Sequence, residues 1–118
     1  MTRIEALRKS ITKWQRVARG VGVDRACDNC ALCLQYHSGG CCDCPVREHT
    51  GSAHCDDTPF VDWYKHQYTK HVEYTDKDAL KARCRTCDKI AKAEVTFLQG
   101  LMKLEVESAK DDKADDQG

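Results

Sequence analysis

Nine cysteines and five histidines in 118 residues are the side chains best able to do chemistry in this chain. Cys27, Cys30 and Cys33 stand three apart, Cys41 and Cys44 stand three apart with Cys42 between them, and Cys55 follows His54. Two C-x-x-C pairs joined by a short loop are a strong zinc signal. Two intervening residues let both thiolates of a pair reach one ion, and a second pair supplies the other two corners of a tetrahedron with Zn–S near ~2.3 Å. Cys30, Cys33, Cys41 and Cys44 are the leading ligand set. Cys27-x-x-Cys30 is an equally good knuckle, and Cys55 is placed to complete a site when the loop folds back. Cys27, Cys42 and His54 remain for a second ion, so the choice of ligands stays open. His37, His49 and His54 read first as exposed loop histidines and second as ligands.

The same cysteines allow another cofactor. Cys27, Cys30, Cys33 and Cys44 before Pro45 resemble the C-x-x-C-x-x-C and Cys-Pro arrangement that holds a four-iron cluster. Ten residues separate Cys33 from Cys44 here, against three in the ferredoxin run, which favours zinc over the cluster. Cys84 and Cys87 repeat the two-residue spacing. They fall on the apolar stripe of a long predicted helix, where cysteine behaves as a small hydrophobe, so they are expected in the core. A share in a second metal site with Cys27, Cys42, Cys55 or a loop histidine is the alternative. His66 and His71 read as surface or core-edge residues of the preceding helix.

An odd number of cysteines excludes complete disulfide pairing within the chain, and the opening MTRIEALRKS lacks the apolar stretch of a secretory signal. The expectation is a cytoplasmic protein, because a reducing compartment keeps clustered thiols available as metal ligands. No run of about 18 apolar residues is present, so no membrane-spanning helix is expected. Nineteen Lys and Arg balance 19 Asp and Glu, which removes any global attraction to nucleic acid or anionic lipid. Charge is nevertheless uneven. Residues 1–25 carry seven Lys or Arg against two acids, whereas 105–118 carry two against six.

The elements that must position these residues are mainly α. Ile4, Leu7, Ile11, Trp14 and Ala18 recur at helical spacing, and Gly20 and Gly22 end the pattern, giving a helix over about 2–18. Thr58-Pro59 reads as a cap and first turn, opening a helix over about 59–72. A third helix over about 77–107 carries Leu80, Cys84, Cys87, Ala91, Val95, Leu98, Leu101 and Met102 on one stripe. Between the first two helices, 27–57 is poor in apolar residues. It cannot offset an ordering cost of roughly 1–2 kcal/mol per residue without a cross-link, so it reads as a metal-stapled loop. The organisation is thus one zinc-stabilised helical domain, 1–107, followed by a disordered acidic tail, 108–118.

Several of these residues together resemble a group of small bacteriophage and prophage proteins, mostly uncharacterised. The resemblance runs over about residues 4–104. It includes Lys13-Trp14, the CALC knuckle Cys30–Cys33 with Tyr36, Cys41 with Cys44-Pro45-Val46, Thr50-Gly51, Cys55, Thr58-Pro59-Phe60 and AEVTFLQGL at Ala93–Leu101. It implies Cys30, Cys33, Cys41, Cys44 and Cys55 as site residues and a phage-type origin in the host cytoplasm, and it supplies no activity.

The expected function is therefore a small zinc-binding, non-enzymatic interaction protein that binds a host or phage protein. A four-thiolate zinc has no open position for water, and no Gly-rich phosphate loop, paired-carboxylate metal site or Ser/His/Asp arrangement is evident. A metal-dependent nuclease is the residual enzyme reading, redox sensing through the crowded thiolates is another, and no small-molecule substrate suggests itself. The main alternative is nucleic-acid binding. Arg3, Arg8, Lys9, Lys13 and Arg16 could lie along phosphates while Trp63, Tyr64 and Tyr68 stack on bases.

Overall fold

The computed structural model describes residues 2–25, 29–36, 45–51, 58–71 and 80–117, with backbone alone at 33, 47 and 109–117. Among the described residues five helices follow one another: α1 (Arg3–Ala18), α2 (Ala31–Tyr36), α3 (Pro45–Thr50), α4 (Pro59–Lys70) and α5 (Arg85–Gln117). The mainly helical class expected from periodicity is the class found. Among the described residues the sole β-type pairing is an isolated antiparallel bridge between Asp24 and Leu80.

α1 begins where a capping box satisfies its orphan amides: Thr2 Oγ1 accepts from the Glu5 N–H, and Glu5 accepts in return from the Thr2 N–H. It buries Ala6, Leu7, Ile11, Trp14 and Val17 along one stripe, and Gly20, at φ 77°, turns the chain away afterwards. α5 lies against that stripe with Cys87, Ala91, Leu98 and Leu101. α4 packs on α5, α2 on α1 and α3 on α5. Leu32 of α2 and Val46 of α3 are buried in the same core.

Two tryptophans tie α1 to α4. Trp14 meets Trp63 edge to face with ring centroids 5.3 Å apart, and Phe60 at 6.1 Å. The Trp63 indole donates to Asp24 Oδ2 at 3.0 Å, and Lys13 Nζ meets Asp24 Oδ1 at 2.6 Å. Asp24 is fully buried, a position a carboxylate holds only with such partners. Its backbone exchanges hydrogen bonds with Leu80 at 2.8 and 3.0 Å, so one residue fixes α1, α4 and the approach to α5 together.

The element bounds depart from expectation in three places. The long helix begins at Arg85 rather than near 77, because Leu80 spends its N–H and C=O on Asp24 and cannot also use them in a helix. Two short helices, α2 and α3, stand within the segment expected as loop; each has six residues, too few for an apolar period to register. At the far end, the α5 backbone runs to Gln117, into the acidic stretch 108–118 expected as a disordered tail. That stretch contains neither proline nor glycine before Gly118, and its alanines, lysines and glutamine propagate a helix readily.

Candidate metal centre

His66, His71, Cys84 and Cys87 converge at the junction of α4 with α5, their ligand atoms all within 4.8 Å of one another. His66 Nε2 lies 3.2 Å from Cys84 Sγ, His71 Nε2 lies 3.4 Å from Cys87 Sγ, and the two sulfurs are 3.6 Å apart. Zinc bonds near 2.3 Å to sulfur and 2.0–2.1 Å to nitrogen imply separations of about 3.3–3.8 Å between the corners of a tetrahedron. The three contacts lie close to that range, so the donor set and its spacing fit a four-coordinate ion. A His2Cys2 group that could bind a metal is therefore present.

Each ligand owes its place to a local device. His66 sits in the body of α4, whereas His71 is its C-cap, with φ −123° and ψ 30°. In an uninterrupted helix, residues five apart point in different directions; leaving the helix at His71 brings its ring back to 5.0 Å from that of His66. Cys84 stands immediately before α5 and its carbonyl accepts the Asp88 N–H at 3.1 Å, making it an N-cap, with Cys87 in the first turn. Backbone N–H groups of Cys87 and Thr86 directed at Cys84 Sγ hold that thiol below the usual range, which favours a thiolate. Burial pushes the Cys87 thiol up. Burial lowers the pKa of His66, helped by His71 and Lys70, so its imidazole stays neutral and available as a donor.

Gln67 supports the group from behind. It is buried, and its Nε2 donates to the Lys81 carbonyl at 2.8 Å and to Cys87 Sγ at 3.4 Å. An amide N–H on a ligand sulfur orients the ligand and offsets its negative charge.

The expectation that Cys84 and Cys87 are simply core cysteines of a helix is half right. Cys87 is buried in the core, but Cys84 precedes the helix and both sulfurs face histidines. His66 and His71, read from sequence as surface or core-edge residues, are their partners. One signal could have found them: His66-x4-His71, followed after twelve intervening residues by Cys84-x-x-Cys87, is a paired-ligand spacing.

Of the cysteines first chosen as ligands, Cys30 is described: half-buried against the core, it precedes α2 and its carbonyl accepts the Leu34 N–H at 2.9 Å. Cys33 lies in α2 with its backbone alone described. Cys27, Cys41, Cys42, Cys44, His54 and Cys55 lie outside the described residues, as does His37. His49, on α3, lies 3.2 Å from Glu105. That carboxylate also takes Arg3 at 2.6 Å, and Arg3 meets Glu48 at 2.6 Å, so Arg3 is committed to a salt-bridge cluster on the α1–α3–α5 side. Trp63 is buried and cannot stack on a base.

Comparisons with protein families, with curated proteins and with solved structures find no match to this chain. No helix among the described residues is long and apolar enough to cross a membrane.

Proposed function

We propose that the chain is a non-catalytic, zinc-stapled helical module that works by binding a macromolecular partner. The convergence of His66, His71, Cys84 and Cys87 carries this reading. Two thiolates and two imidazoles are the donors zinc prefers, and four protein ligands leave no coordination position for water or substrate, so the ion acts as a structural cross-link. The cysteine-rich segment then supplies a second zinc through Cys30, Cys33, Cys41 and Cys44, with Cys55 able to replace one of them. Cys30 before α2 occupies the same frame as Cys84 before α5, each opening a C-x-x-C at a helix start. The resemblance to small phage proteins supports a setting in the reducing host cytoplasm.

Elemental mass spectrometry of anaerobically purified protein tests this reading. Two zinc ions per chain are expected, falling to one in His71→Ala or Cys87→Ser and to one, independently, in Cys44→Ser. Full zinc retention in His71→Ala and Cys87→Ser, or a wild type without metal, overturns the assignment at α4–α5. Iron with a brown chromophore in the Cys87→Ser protein replaces the second zinc by a cluster.

A further inference from the structure

Beside α1 runs a groove of about 490 Å3, lined among others by Lys9, Lys13, Arg16, Val21, Arg25 and Asn29. Its outer wall is the strand-like stretch that follows α1, and it is held rigidly. The N–H groups of Val21 and Gly22 both donate to the Arg16 carbonyl at 3.0 Å. The backbones approach so closely that a Cβ at Gly22 would lie 2.8 Å from the Arg16 Cβ, leaving room for glycine alone. Asn29 closes the end, accepting from the Arg25 N–H at 2.8 Å and donating to the Val23 carbonyl at 2.9 Å. The Asp24–Leu80 bridge anchors the whole wall to the approach to α5.

The charge in this groove is one-sided. Lys13 is spent on the buried Asp24. Lys9, Arg16 and Arg25 are exposed and form no ion pair among the described residues, and no carboxylate of those residues lines the groove, so three cations face one concavity. Lys9 and Arg16 are seven residues apart on α1, about 10.5 Å along the axis, too far apart to share one phosphate, so the groove suits a repeating anion better than a single one.

A second, separate feature points to bases. From Trp14, next in sequence to Lys13, an aromatic path runs through Phe60 at 6.1 Å and Tyr64 at 5.7 Å to Tyr68. Tyr64 and Tyr68 stack at 4.7 Å with their planes 29° apart, and they are 36% and 40% exposed. A cationic groove together with exposed aromatic platforms is how proteins hold unpaired strands.

We infer that the chain binds single-stranded nucleic acid, with the groove cations Lys9, Arg16 and Arg25 on phosphates of the strand and Tyr64 and Tyr68 of α4 as stacking platforms for bases. Arg3, expected from sequence to join the phosphate contacts, is replaced by Arg25, which the fold brings to the groove from beyond the helix. The inference goes beyond the zinc reading, and its failure is distinguishable from the failure of that reading, because metal content is measured on the same samples.

The test is fluorescence anisotropy of labelled 20-nucleotide oligothymidylate and oligouridylate with the full chain as purified, over a series of KCl concentrations. The wild type is expected to bind with an affinity that falls as salt rises. The triple variant Lys9→Glu, Arg16→Glu, Arg25→Glu should flatten the slope of log affinity against log salt by about 2, at ~0.7 per phosphate contact on single strands. Tyr64→Ala with Tyr68→Ala should weaken binding tenfold or more at fixed salt, without changing the slope. Lys103→Glu, an exposed charge on α5, should leave both unchanged. Circular dichroism and metal content establish that each variant is folded. A triple variant that binds like the wild type overturns the inference, as does a Lys103→Glu protein that loses as much as the triple variant. Equal displacement by oligoglutamate, with no effect of the tyrosine variants, would make the groove a site for acidic peptides instead.

Discussion

At the scale of single residues, the least compensated group is Glu94. It is 4% exposed, its Oε2 has no hydrogen-bond partner among the described residues, and burial, reinforced by Cys30, raises its pKa from 4.5 to about 7. Between those two values the folded protein keeps a proton that the unfolded chain releases. Stability from this group therefore declines as pH rises through the window, and the penalty is complete above about pH 7. Glu94→Gln removes the titration, so the variant should gain on the wild type with rising pH, by up to about 3 kcal/mol at 1.36 kcal/mol per pKa unit. Urea denaturation of both proteins at pH 5.5 and pH 8 measures this. A difference independent of pH would mean that Glu94 does not titrate in this range.

At the scale of elements, the candidate metal centre lies at the joint between α4 and α5, and its precision depends on what holds those elements in register. Gln67 is the tie. Its amide reaches from α4 to the Lys81 carbonyl on the approach to α5 and to the Cys87 sulfur in the first turn. Gln67→Leu keeps the volume but removes both hydrogen bonds. It should lower zinc affinity roughly 10–100-fold, as loss of an orienting partner does elsewhere. Competition with a chromophoric chelator gives the number. An unchanged affinity would show that the two histidines and two cysteines are positioned without it.

At the scale of the whole molecule, α1, α4 and α5 share a core around Trp14, Trp63 and Leu98, and the four candidate metal ligands stand where α4 ends and α5 begins. Metal-binding energy in such an arrangement is folding energy. Excess chelator should lower the melting midpoint by more than about 10 °C, because even two or three kcal/mol shifts a domain of this size that far. Calorimetry with and without chelator, followed by zinc re-addition, measures the shift and its reversal. A melting curve indifferent to chelator would leave hydrophobic packing as the sole support of the fold.

The order of amino acids was enough to establish the helical class, the amphipathic stripe of α1, the start of α4 at Thr58-Pro59, and the presence of clustered thiols at ligand spacing. These are local properties. Capping, helical periodicity and C-x-x-C spacing act over a few residues and so leave a trace in the order of amino acids. Which thiols meet which histidines is set by long-range packing. His66 and His71 become partners of Cys84 and Cys87 because α4 ends at His71 and α5 begins at Cys84, and both ends are set at a distance. The Asp24–Leu80 bridge, made between residues 56 positions apart, keeps the approach to α5 extended and delays the helix to Arg85. No periodicity encodes a pairing of that range, since it depends on a buried carboxylate that finds Lys13 on one helix and Trp63 on another. The same holds for Arg3 and Arg25. Equal in charge along the sequence, they are sorted by the fold into a salt-bridge cluster and a groove.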